Sequence, residues 1–97
     1  MINKIKELHS LIGNTPLIGI KFRYKKQESI IYAKCEYYNF TGSIKDRMAL
    51  HILQSAIQSN QLNSDSIIVE ATSGNTGISF SALGSFLGNK VRIIMPD

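Results

Sequence analysis

An α/β fold built on an open parallel βαβαβ sheet is what this sequence predicts, and three observations predict it. From residue 29 onward, short β-branched apolar runs alternate with helix-length amphipathic runs. Strands separated by helical crossovers pair in parallel, with right-handed connections and helices covering the sheet. Both strand-to-helix junctions carry small, polar and glycine residues, at the sheet edge where ligands sit in folds of this kind.

The elements follow in order. Residues 2–12 place Ile2, Ile5, Leu8 and Ile12 at helical spacing. Gly13-Asn14-Thr15-Pro16 is a turn signal that stops this helix. Leu17–Ile20 and Ser29–Lys34 read as strands around a basic hairpin turn. Residues 44–58 form the clearest helix, with Ile44, Met48, Ile52 and Ala56 on one face and Leu53 and Ile57 widening it. Ser66–Glu70 reads as a buried strand, Thr76–Leu87 as a second long helix and Lys90–Met95 as a further strand. Met48, Met95 and Cys35 are expected in the core. The sequence stops at Pro96-Asp97, straight after a strand. Two long helices are few to cover both faces of a parallel sheet, so the sequence reads as cut off.

Composition excludes several classes. The chain has 97 residues, 43% hydrophobic and 19% charged, which is globular and not disordered. One cysteine excludes an internal disulfide framework and a multi-cysteine zinc site, and no metal site is expected. No apolar run reaches the ~20 residues of a membrane span, and the first residues lack the apolar core of a secretion signal. A cytoplasmic protein with no membrane partner is the expectation. The net charge of +4 concentrates in the first half, densest at Lys21, Arg23, Lys25 and Lys26 around Phe22 and Tyr24. Basic residues beside aromatics could track nucleic acid. No nucleic-acid motif accompanies them, and a solvated hairpin accounts for the same pattern, so no nucleic-acid partner is expected.

The chemistry would sit at the two junctions. In the first, Ser43 is a good N-cap and Asp46 makes a capping-box-like pair with it. Lys45 then lies in the first helical turn, at the positive end of the helix dipole, where a cation is disfavoured. A neutral amine is what Schiff-base chemistry requires. An exposed lysine with Asp46 and Arg47 compensating nearby is the bland alternative, and this junction alone leaves both open. In the second junction, Thr72-Ser73-Gly74-Asn75-Thr76-Gly77 follows a strand. Its glycines let a ligand approach the backbone, and its hydroxyls join the free N–H groups of a helix start, so it can cradle a carboxylate or phosphate. It is neither a Walker loop nor a Gly-x-Gly-x-x-Gly turn. Ordinary capping of a tight turn is again the alternative. His9, His51, Tyr37, Tyr38 and Glu36 are assigned no chemistry.

Taken together, Ile12-Gly13-Asn14-Thr15-Pro16-Leu17, Asn39-x-Thr41-Gly42-Ser43-Ile44-Lys45-Asp46-Arg47 and Thr72-Ser73-Gly74-Asn75-Thr76-Gly77 resemble the cysteine synthase (O-acetylserine sulfhydrylase) and cystathionine β-synthase group. These are fold-type-II enzymes dependent on pyridoxal 5'-phosphate (PLP). The resemblance runs over nearly the whole chain, in the family's order and spacing. It implies that 1–97 is an N-terminal part of such an enzyme, with 1–28 an N-terminal segment and strand and 29–97 a βαβαβ unit.

It further implies that Lys45 binds PLP covalently and later takes the substrate α-proton. Asn75 would bond the cofactor's ring hydroxyl oxygen, and Thr72, Ser73, Gly74 and Thr76 would bind the carboxylate of an amino-acid substrate. The implied reaction is β-replacement, O-acetylserine plus sulfide giving cysteine, in a homodimeric parent. Phe40 departs from the family's usual proline. The family's phosphate-binding glycine loop and the polar residue facing its pyridine nitrogen correspond to positions beyond residue 97, so the chain alone is expected to be catalytically incomplete. A non-catalytic remnant acting as a binding module, and a cystathionine β-synthase-like or other PLP-dependent lyase, are the competing readings.

Overall fold

A computed structural model describes residues 1–97. In chain order it contains α1 (Ile2–Leu11), β1 (Leu17–Tyr24), β2 (Gln27–Lys34), a short 3-10 turn (Glu36–Tyr38), α2 (Lys45–Gln58), β3 (Ile67–Ala71), α3 (Asn75–Phe86) and β4 (Lys90–Ile94). The α/β class and every expected element are present.

The core is helical. Spacings of three and four residues put Ile5, Leu8 and Ile12 from the α1 segment on one side of it. Ala49, Leu50 and Leu53 of α2 join them, with Phe80, Leu83 and Leu87 from α3 and its end, and Leu62 closing the base. Two polar contacts show that α2 and α3 run in the same direction. At their starts Ser79 Oγ donates to Asp46 Oδ1 at 2.6 Å. Beyond their ends Asn89 Nδ2 donates to the carbonyls of Asn63 and Ser66 at 2.8 and 2.9 Å.

β3 and β4 pair in parallel across α3, in register from Ile67↔Lys90 to Ala71↔Ile94. The helix lies unusually close to them because two glycines, two turns apart, face the strands. A Cβ on Gly84 would stand 2.5 Å from Val91 Cγ2 and 2.9 Å from Ile68 Cδ1. One on Gly77 would stand 2.7 Å from Thr72 Cγ2.

The structure corrects the expected pairing of the 29–34 strand. It joins no parallel sheet with β3 and β4; the four strands form two separate pairs. β2 pairs antiparallel with β1 over eight residues, Leu17↔Lys34 to Tyr24↔Gln27. Lys25 and Lys26 both take positive φ, +48° and +64°, the conformation of a two-residue hairpin turn whose twist matches its strands. Closing this short loop costs far less entropy than bringing β2 to β3 across a helix.

The hairpin stands away from the core. Every residue of β1 is exposed, as are all of β2 except half-buried Ala33. The radius of gyration is 17.1 Å, against about 12–13 Å for a compact domain of this length.

Two further expectations change. α2 buries Asp46, Ala49, Leu50 and Leu53, not the Ile44–Met48–Ile52 face, because Asp46 turns inward. Met48 is 39% exposed and Met95 64%. The expected buried strand 66–70 alternates, Ile67 and Val69 facing outward while Ile68 faces α3. Cys35 is buried, as expected.

Two outcomes follow from this packing. Gly84→Ala lowers the unfolding free energy by about 1–2 kcal/mol in urea titration, because overpacking outweighs the helix-propensity gain of about 1 kcal/mol. The isolated chain self-associates through its uncovered apolar face of Ile18, Ile20, Phe22 and Ile31. Light scattering detects this, and Ile20→Lys reduces it.

Candidate active site

The loop that delivers the chain into α2 is held by one carboxylate. Arg47 donates from Nε to Glu36 Oε2 at 2.8 Å and from Nη2 to Oε1 at 3.0 Å, a two-point fit of guanidinium to carboxylate. Thr15 Oγ1 donates to Glu36 Oε1 at 2.6 Å, and Asn39 Nδ2 to Oε2 at 2.7 Å. Asn39 Oδ1 accepts the Gly13 N–H at 2.8 Å. The turn after α1, the loop before α2 and the first turn of α2 therefore meet at Glu36. Gly13, with φ +86°, makes room for this: a Cβ there would stand 3.3 Å from Arg47 Nη1. The hydrogen bond from Arg47, followed by that from Thr15, lowers the Glu36 pKa from its ordinary 4.5 to about 2, against the opposing effect of desolvation. The same pairing raises that of Arg47. The sequence reading assigned Glu36 no chemistry; its role is to build the loop, and the signal was Thr15, Asn39 and Arg47 spread across two motifs.

Lys45 is the first residue of α2, and its side chain is exposed. Nζ forms no ion pair or hydrogen bond; the one bond of the residue runs from its backbone N–H to Ser43 Oγ at 3.2 Å. Ser43 accepts that N–H, but both parts of the expected capping box are corrected: the N-cap position is Ile44, and Asp46 does not pair with Ser43. Asp46 is completely buried and accepts the Thr41 N–H at 2.6 Å, the Thr41 hydroxyl and the Ser79 hydroxyl.

At the second junction β3 ends and Thr72 N–H bonds the Ile94 carbonyl at 3.0 Å. Thr72 Oγ1 accepts the Gly74 N–H at 3.3 Å. The carbonyl of Gly74 takes the N–H groups of Gly77 and Ile78. The N–H groups of Ser73, Asn75 and Thr76 have no protein acceptor among the turn and loop bonds, and the side chains of Ser73, Asn75 and Thr76 make no hydrogen bond. Nothing lies within 4 Å of where a Gly74 Cβ would be. This is an open cradle of donors at the positive end of α3, suited to an anion. Thr72, Ser73 and Gly74 also line one end of an open groove of about 730 Å³, walled by Ile78, Ile93 and Met95.

The Asp46–Ser79 bond brings the two junctions to one end of the molecule. Lys45 precedes Asp46, and Asn75 lies one turn before Ser79. The basic hairpin is remote from both in the fold. Its Arg23 is taken by Glu28 at 2.9 Å.

An amine and an anion cradle at the helix-start end of an α/β unit define a class, and sequence comparison agrees with it: the chain belongs to the family described as pyridoxal-phosphate dependent enzymes, whose model matches residues 8–97. It is 45% identical over 92 residues to cysteine synthase B of Campylobacter jejuni, covering 95% of this chain and 29% of that protein. It is 44% identical over 91 residues to cystathionine beta-synthase of Saccharomyces cerevisiae, covering 90% of this chain and 18% of that one. A crystal structure of a hydrogen sulfide-producing enzyme from Fusobacterium nucleatum superposes with a TM-score of 0.94 at 52% identity, covering all of this chain and 29% of that one. The chain thus spans about 30% of the length of the first and third of these and 18% of the second. No helix is long and apolar enough to cross a membrane.

The Glu36 network sets a pH dependence. Its carboxyl is harder to protonate folded than unfolded, so the stabilisation is complete above pH 4.5 and is lost as pH falls through about 2. Urea midpoints measured across that window fall with acid in the parent chain, and Glu36→Gln flattens that decline while lowering the midpoint at neutral pH.

Proposed function

We propose that residues 1–97 supply the cofactor lysine and the substrate-carboxylate cradle of a cysteine synthase-like enzyme, which replaces the β-substituent of an activated serine with sulfide. The observation that carries this reading is the meeting of exposed Lys45 and the open donors of residues 73–76 at one end of two parallel helices joined by Asp46 and Ser79. The residues present suit PLP: an unpaired amine for its aldehyde, an amide side chain at Asn75 for its ring hydroxyl, and a cradle for a substrate carboxylate. Bound there, PLP supplies an electron sink for negative charge developing on the substrate α-carbon.

The chain's own residues do the rest. Lys45 Nζ would hold the cofactor's aldehyde, and its free amine would take the proton from the α-carbon of the amino acid. The hydroxyls of Thr72, Ser73 and Thr76 and the backbone about Gly74 orient the carboxylate, fixing which bond at the α-carbon faces Lys45. O-Acetylserine and sulfide are the proposed donor and nucleophile, supported by the cysteine synthases among the relatives.

A second reading has one observation in its favour. The hairpin and the outer face of β3 and β4 are uncovered, which suits a chain that acts only together with further polypeptide and is non-catalytic by itself.

Incubating the 97-residue chain with PLP, reducing with borohydride and mapping the label by mass spectrometry tests the proposal. Lys45 is expected to be modified ahead of the other seven of the eight lysines. Its labelling falls by about tenfold in Thr72→Ala/Asn75→Ala, the effect of losing one or two hydrogen bonds. Even labelling across Lys4, Lys21, Lys25 and Lys45 overturns the proposal.

A further inference from the structure

Asp46 is the only charged side chain in the fully buried set, and no cation pairs with it. Its two oxygens take three donors from two places: the Thr41 N–H and hydroxyl from the loop before α2, and the Ser79 hydroxyl from α3. A buried carboxylate held by neutral donors is a poor source of stability, since a well-packed apolar residue often does as well or better. What such a group can supply is specificity of packing.

Here the packing has an alternative to be specified against. α2 carries two apolar stripes. One, Ala49, Leu50 and Leu53, is buried; the other, Ile44, Met48 and Ile52, is exposed. At about 100° per residue the stripes are centred more than a third of a turn apart. Burial of either would satisfy the hydrophobic effect, and the second is composed of larger residues. Lys45 lies between them. Turning the helix to bury the second stripe would carry Lys45 across to the opposite flank of α2. Only the buried stripe contains a group that needs the Thr41 and Ser79 donors.

We propose that Asp46 is a positioning residue: hydrogen-bonded by Thr41 and Ser79, it selects which apolar stripe of α2 is buried and so on which flank of the helix Lys45 emerges. The functional consequence rests on the reading of Lys45 as the cofactor lysine; the selection of the stripe does not.

The test uses the full chain with Asp46→Leu, which keeps the site apolar and filled, and Asp46→Asn, which keeps the shape and can still bond the same partners because both hydroxyls can turn to accept. Hydroxyl-radical oxidation of Met48 reports the rotation without PLP, alongside circular dichroism for helix content. In helical Asp46→Leu, which loses all three hydrogen bonds, Met48 oxidation falls by about fivefold or more, the ratio that even one lost bond of about 1 kcal/mol gives. Asp46→Asn restores it.

Parental Met48 oxidation in helical Asp46→Leu overturns the proposal. Should Asp46→Leu lose its helices, Ser79→Ala decides instead: it deletes only the inter-helix donor, a decrease in Met48 oxidation supports the proposal, and an unchanged value overturns it. Borohydride trapping with PLP is run in parallel. Scattered labelling of the parent chain removes the cofactor reading of Lys45, while the Met48 result still decides the role of Asp46.

Discussion

The structure depends on a carboxylate that meets no water. Asp46 sits in the first turn of α2, where an acidic group is favoured by the helix dipole, and its three donors come from two segments, the loop before α2 and α3. Apolar contacts are non-directional, so alone they would leave the rotation of α2 loosely set. Hydrogen bonds are directional and costly to leave unmade. One such group fixes the loop before α2, the rotation of α2 and the position of α3 together. The Glu36–Arg47 pair does for the outer side of the loop what Asp46 does for its inner side, and Lys45 stands between the two.

Close approach of helix to strand is the second constraint. Gly77 and Gly84 let α3 settle against β3 and β4 so tightly that a methyl group would collide with Val91 or Thr72. This fixes the height of the Thr72–Gly77 loop relative to the helix starts. The cradle of free N–H groups is thus placed by packing on both sides of α3: by glycine against the sheet and by Ser79 against α2. The helix start leaves donors open at that point without further design.

Membership of a pyridoxal-phosphate dependent family and the site geometry give the same account of why the chain is built asymmetrically. The helical side has a closed core, while the hairpin and the outer face of β3–β4 present Ile18, Ile20, Phe22, Ile67 and Val69 to solvent. Relatives and solved neighbours are about three times as long. Large contiguous apolar faces mark surfaces that bind protein. The polar networks about Asp46 and Glu36 gather at the helix starts, while the uncovered apolar faces lie on the sheets.

Local patterning was enough to determine the elements and the α/β class, and it singled out the two junctions as candidate sites. Strand and helix periods, the Gly13-Asn14-Thr15-Pro16 stop and the glycine-rich turn after β3 act over a few residues and are written in the sequence directly. Three motifs in order also marked Lys45, Thr72, Ser73, Gly74, Asn75 and Thr76 by resemblance. What the sequence left open is long-range. The second apolar stripe made Ile44, Met48 and Ile52 look like the core face of α2, because periodicity identifies a helix without saying which of two apolar sides is buried. Asp46 read as a cap, since its partner Ser79 is 33 residues away. Glu36 read as part of the loop without named partners, since Thr15 and Arg47 lie on either side of it at separations no local rule connects. The 29–34 strand pairs with β1 in a hairpin instead of joining the parallel sheet. For Asp46 and Glu36 the deciding contacts join residues far apart in the chain, and only the folded molecule brings them within hydrogen-bonding distance.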